Sequence, residues 1–156
     1  MSTTTSAARR AGDAATDGID PRGPQFNAAV TLVVLIAVLV TAGSWISVVL
    51  TAAQTVLFAL GAALGVQRTV HAKVFKSLVR PRLQAPDHLE DPAPPRFAQA
   101  VGFVFTAVAL IAFLLDRDSL VGIVAIGLAT VAATLNAVFR FCLGCEAYLL
   151  IKRFAH

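Results

Sequence analysis

Charge is scarce in this 156-residue chain: 14% of its residues are Asp, Glu, Lys or Arg, while 57% are apolar. Soluble domains carry about 25% charged and 45–50% apolar residues, so the composition argues against an ordinary soluble domain. It also excludes a wholly disordered chain, which needs low hydrophobicity. Cysteine is scarcer still. Cys142 and Cys145 are the only two, which excludes a multi-disulfide secreted scaffold. There is no Gly-rich phosphate loop, no Gly-x-Ser-x-Gly and no Ser-His-Asp set. His71, His88 and His156 are scattered and have no metal-ligand spacing with the cysteines, so neither a metal nor a cofactor is expected. A zinc site would need ligands from elsewhere or from a second protomer. With no base-reading or stacking motif, no nucleic-acid partner is expected either.

What the chain does have is long apolar runs free of proline and a mean hydropathy of +0.75. It therefore reads as an integral membrane protein whose partner is the lipid bilayer. A helix crosses the hydrocarbon in roughly 20 residues. Four such spans are predicted, at about 26–43, 45–64, 97–115 and 120–140, within a membrane domain covering 25–156. The fold class expected is an all-α four-helix bundle, built as two helical hairpins. Gly43-Ser44 breaks the first hairpin and Asp116-Arg117-Asp118-Ser119 the second, with Ser119 placed to cap the next helix. Residues 1–24 are polar and small and read as a disordered tail, without the apolar core of a signal peptide.

A basic, proline-rich loop over 66–96 joins the hairpins. Its first part, 66–79, places Val70, Val74, Phe75 and Leu78 on one helical face and Arg68, Lys73, Lys76 and Arg80 on the rest. This predicts an amphipathic interfacial helix, apolar side in lipid. Pro81, Pro86, Pro92, Pro94 and Pro95 then predict an extended tether. With four spans, both termini and this loop share one side. Of the 13 Lys and Arg, Arg117 alone falls opposite, so the rich side is expected to be cytoplasmic. The segment from Leu120 to Ile151 is long for one span. A span ending near Phe139, then an interfacial helix or a break at Gly144, competes with a short fifth span.

The most specific motif is Arg140-Phe141-Cys142-Leu143-Gly144-Cys145-Glu146. On a helix, i and i+3 share a face, so the two sulfurs can meet. Thiol–disulfide exchange, persulfide transfer and soft-metal binding all use such a pair. Two packing cysteines are the plain alternative. A helix C-terminus at Cys142 would disfavour a thiolate, with Arg140 offsetting it, whereas a break at Gly144 would put Cys145 and Glu146 at a new helix start and change the sign. Glu146 either tunes the thiols or pairs with a cation. Gln25 and Asn27 of the first span, Arg96 and Gln99 of the third and Asn136 of the fourth lie at the same depth as the cysteines. They read either as a site at the mouth of the bundle or as interfacial anchors. Deeper, Gln54 is expected to bond between helices, and Thr51, Thr55, Thr130 and Thr134 to bond their own backbone. Gly61 and Gly65 give small-xxx-small spacing for a contact inside the bundle or within a homo-oligomer.

The chain resembles the bacterial membrane family called domain of unknown function 4395. The resemblance rests on Pro24 to Asn27, on Arg80-Pro81, on Pro95 to Gln99 and, most specifically, on Phe141 to Cys145. It covers about Asp20 to Arg153. The resemblance implies a multi-pass protein of the bacterial inner membrane. Relatives are often encoded near thioredoxin-like proteins and sulfurtransferases, which implies a thiol or sulfur role for Cys142 and Cys145 and a partner of that kind. The expectation is a thiol–disulfide or persulfide relay at the cytoplasmic face. Its rival is a non-catalytic scaffold or small transporter subunit in which Gly61, Gly65 and the basic loop matter most.

Overall fold

The computed structural model describes residues 18–156. Four helices are long and apolar enough to cross a membrane: α1 (Arg22–Val40), α2 (Trp45–Leu64), α4 (Ala93–Leu115) and α5 (Leu120–Phe139). The shortest has 19 residues, about 28 Å at 1.5 Å per residue. Between α2 and α4 lies a short α3 (Val70–Val74), and α6 (Leu143–Phe154) closes the chain. Among the described residues no strand forms beyond a single antiparallel bridge, Ile19 to Glu90. The all-α fold class is thus observed.

The spans pack as a closed four-sided bundle in which α1 touches α2 and α5, and α4 touches α2 and α5. The outer surface stays apolar. Val33, Val49, Val104 and Leu115 are all more than half exposed, an arrangement that water penalises and lipid does not. The tightest core lies toward the two hairpin turns. There Leu35 and Val38 of α1 meet Val48 of α2, Phe113 of α4 and Ile126 of α5. Gly122 makes room for Phe113, since a Cβ on Gly122 would come within 2.5 Å of the ring.

Several polar side chains inside the bundle bond locally, but Gln54 Oε1 is buried with no hydrogen-bond partner among the described residues. The hydroxyls of Thr51, Thr55, Thr130 and Thr134 each donate to the carbonyl four residues back at 2.7–2.8 Å. Gln54 is buried and donates through Nε2 to Thr31 Oγ1 of α1 at 3.4 Å. Gly61 is buried inside the bundle against Gln99 of α4. Gly65 ends α2 with a positive φ of 89°, a conformation glycine adopts without a Cβ penalty.

Four expectations are corrected. The tail was expected to run to residue 24, but Gly18–Asp20 pair with the end of the central loop and α1 starts at Arg22. Residues 1–17 lie outside the described residues. The prolines before the third span were expected in a tether, yet Pro94 and Pro95 sit inside the first turn of α4. The first N–H groups of a helix lack intrahelical partners anyway, so proline costs nothing there. The interfacial helix over 66–79 is broken. A 3-10 turn (Val66–Arg68) precedes Thr69, whose hydroxyl caps α3 by accepting from the Ala72 N–H at 3.3 Å. The chain then winds wider from Phe75 to Val79. Phe75 turns inward against Phe26, ring centroids 5.8 Å apart, while Val70 and Leu78 remain exposed. Ser119 precedes α5 but caps it with no side-chain bond.

Candidate functional site around the cysteine pair

The last long apolar stretch breaks at Arg140, before the cysteines. Arg140 takes a left-handed conformation, φ 56° and ψ 26°, which costs a residue with a side chain roughly 1–2 kcal/mol. The Phe141 N–H reaches back to the Leu135 carbonyl at 3.1 Å. The chain then turns and α6 lies along the start of α4. With 12 residues, α6 is about 18 Å long, too short for a fifth span.

This break sets the electrostatics at the cysteines. Cys142 is the N-cap of α6, and its Sγ accepts the Cys145 N–H at 3.3 Å. Both sulfurs therefore sit at the positive end of a helix dipole, which favours a thiolate there. The two are joined as a disulfide, Cα atoms 5.2 Å apart. Gly144 between them is inside α6, not at a break. A Cβ on it would come within 2.6 Å of the Ala98 side chain and 2.7 Å of its backbone. The motif needs glycine there because α6 seats on α4 backbone to side chain. Phe97 and Tyr148 reinforce the seat, ring centroids 5.7 Å apart.

The polar residues of this end divide into two groups. Asn27, Gln99 and Asn136, with Cys142, line one cavity of about 420 Å³ that continues between the spans past Phe105 and Leu128. Gln25 and Arg96 do not join them. Gln25 donates to the Ala137 carbonyl near the end of α5 at 3.0 Å. Arg96 donates to the Ala62 and Ala63 carbonyls near the end of α2 at 2.6 and 3.0 Å. Both thus satisfy carbonyls that a helix end leaves open. Arg140 and Glu146 are exposed, and neither forms an ion pair among the described residues.

A second cavity, about 520 Å³, lies on the other side of the first turn of α1 and shares Pro24 and Asn27 with the first. It is walled by the loop, with Arg68, Lys76 and Arg80 around it. Sequence reasoning grouped these cations on a helix face and missed the cavity. Its wall forms only because Gly18–Asp20 fold back on Leu89 and Glu90. Asp20, at its edge, is held below the usual carboxylate range by the bidentate Arg22 guanidinium. Burial lowers the pKa of His71 in α3 and favours its neutral form.

Fold and site together define a helical, multi-pass membrane protein with a Cys-x-x-Cys disulfide at one mouth of its bundle. The family model described as "Domain of unknown function (DUF4395)" matches residues 19–153, and the chain belongs to that family. No curated protein and no solved structure matches it.

Proposed function

We propose that this protein is a membrane thiol–disulfide relay working at the cytoplasmic face, with Cys142 and Cys145 as its redox pair. One observation carries the reading: the two sulfurs are bonded across the first turn of a short helix docked at the mouth of the bundle. The end that holds them also holds every described Lys and Arg except Arg117, and such a bias marks the cytoplasmic side of a bilayer. A disulfide facing a reducing compartment is seldom permanent, so a cycling pair fits that side better than a structural bond. Two cysteines held within disulfide reach fit dithiol chemistry, whereas persulfide transfer needs only one sulfur.

In the exchange, a thiolate of a soluble partner attacks Cys145 Sγ. The Cys142–Cys145 bond breaks and Cys142 leaves as the thiolate, the better leaving group because the helix N-terminus and the Cys145 N–H favour its charge. The partner's second thiolate then attacks the mixed disulfide. The partner departs oxidised, and Cys145 is released as a thiol. The partner class that fits is a thioredoxin-like protein or a sulfurtransferase, docking on the basic face of loop and α6.

A membrane-impermeant maleimide, applied to intact cells and to inside-out vesicles before and after reduction, tests both side and cycling. Labelling of both cysteines only in inside-out vesicles, with a fraction appearing only after reduction, is the expected pattern. Thiols that label in neither orientation without denaturant would end the relay reading and leave the scaffold.

A further inference from the structure

We infer that the cavity beside Cys142 is a binding site for an isoprenoid quinone of the bilayer, the electron acceptor of the Cys142–Cys145 dithiol; this rests on the relay reading above. Three observations converge. First, Cys142 lines the cavity and Cys145 does not. One cysteine of the pair therefore borders a space inside the bundle and the other does not. Second, the cavity holds about 420 Å³, within the roughly 300–1,000 Å³ of small-molecule sites. Its deep part, at Phe105, Leu128 and Val131, is apolar, as an isoprenoid chain requires. Third, the half-buried Asn27, Gln99 and Asn136 line it beside Cys142, and no hydrogen bond joins their side chains to another described residue. Carboxamides at membrane depth are costly unless something answers them. An acyl chain answers none of them. A quinone presents two carbonyl oxygens that accept from amide N–H groups, joined to an apolar tail.

The step balances. The dithiol loses two protons and two electrons as the Cys142–Cys145 S–S bond forms. The quinone takes up both, one proton on each carbonyl oxygen, and leaves as the quinol. The soluble dithiol that reduced the pair supplies those electrons, so the net conversion is dithiol plus quinone to disulfide plus quinol. The direction of flow is from the water-soluble partner into the lipid phase.

The test uses the full chain in nanodiscs of phosphatidylglycerol and phosphatidylcholine, with decyl-ubiquinone as the probe and dithiothreitol as the soluble dithiol. Two quantities are read, free thiols per protein by maleimide mass shift and quinol by its ultraviolet absorbance. After reduction and removal of dithiothreitol, quinone should reoxidise the pair, with quinol appearing in equal amount. Asn136→Leu should raise the quinone concentration needed for half-maximal rate by about fivefold, the worth of one amide hydrogen bond. Ala132→Phe, which puts a ring in the cavity, should abolish quinone reduction. Ala132→Phe should leave reduction of the disulfide by dithiothreitol unchanged. If the disulfide cycles with dithiothreitol yet no quinol forms, or if Ala132→Phe reduces quinone as well as the parent does, the quinone site is wrong and the relay survives. If dithiothreitol never opens the disulfide in the folded protein, the relay itself fails, and the quinone site with it.

Discussion

The two ends of this bundle are carried by the same four helices and packed in opposite ways. Toward the hairpin turns, Leu35, Val38 and Ile126 are wholly buried and Phe113 nearly so. A glycine, Gly122, is given up to admit a ring. Toward the cysteines the same four helices stand around a cavity, and carboxamides replace aliphatic side chains along its wall. Lipid supplies no hydrophobic drive between helices, so a membrane bundle holds together by close packing. The contrast shows where that packing has been concentrated and where it has been relaxed. One end closes the bundle, which leaves the other free to stay open without the fold coming apart.

Substitutions at matched glycines should break this contrast most sharply. Gly122→Val would drive a branched side chain into Phe113. It is expected to lower stability by about 1–3 kcal/mol, read as a shift in the unfolding midpoint in detergent, without altering the alkylation of the cysteines. Gly144→Val would push α6 off the Ala98 backbone. The global midpoint should move far less, while Cys142 and Cys145 become more readily reduced and labelled. Equal effects of the two on midpoint and labelling would mean that the ends are one cooperative unit.

Smaller changes sharpen the comparison. Arg140→Gly relieves the left-handed residue that starts the turn into α6 and should raise stability by about 1 kcal/mol. If exchange with a soluble dithiol slows nonetheless, the charge of Arg140 serves the chemistry. Smallest of all is the pH effect of Asp20. Its carboxyl is held low by Arg22, so the pair's contribution is full above the ordinary carboxylate value near pH 3.9. It is lost as pH falls through the depressed folded value. Resistance of the loop to protease should decline over that acid window in the parent and not in Asp20→Asn.

Most of the fold could be read from the residues, because apolar run length sets a span almost by itself. Trp45 to Leu64 is predicted and found without change. Boundaries failed where local chemistry overrode composition. Prolines that looked like a tether are the first turn of α4, since a helix start is the one place where a missing N–H is harmless. The site was half legible. Spacing pointed to Cys142 and Cys145, and depth grouped Asn27, Gln99 and Asn136. Depth alone does not separate these from Gln25 and Arg96, which cap α5 and α2. Hydropathy does not set the sense of the helix dipole at the cysteines. That sense depends on whether the chain turns at Arg140 or at Gly144, and a left-handed arginine is not written in any pattern of hydrophobicity. A glycine at 144 signals close approach as readily as a break, and here it means approach.

The bridge between Ile19 and Glu90 has a mechanical consequence. It consists of two backbone hydrogen bonds of 2.9 Å, aided by the Arg22 bond to the Gln84 carbonyl. A pull on the amino-terminal segment is taken up by this clasp before it reaches Pro24 and Asn27, the residues that border both cavities.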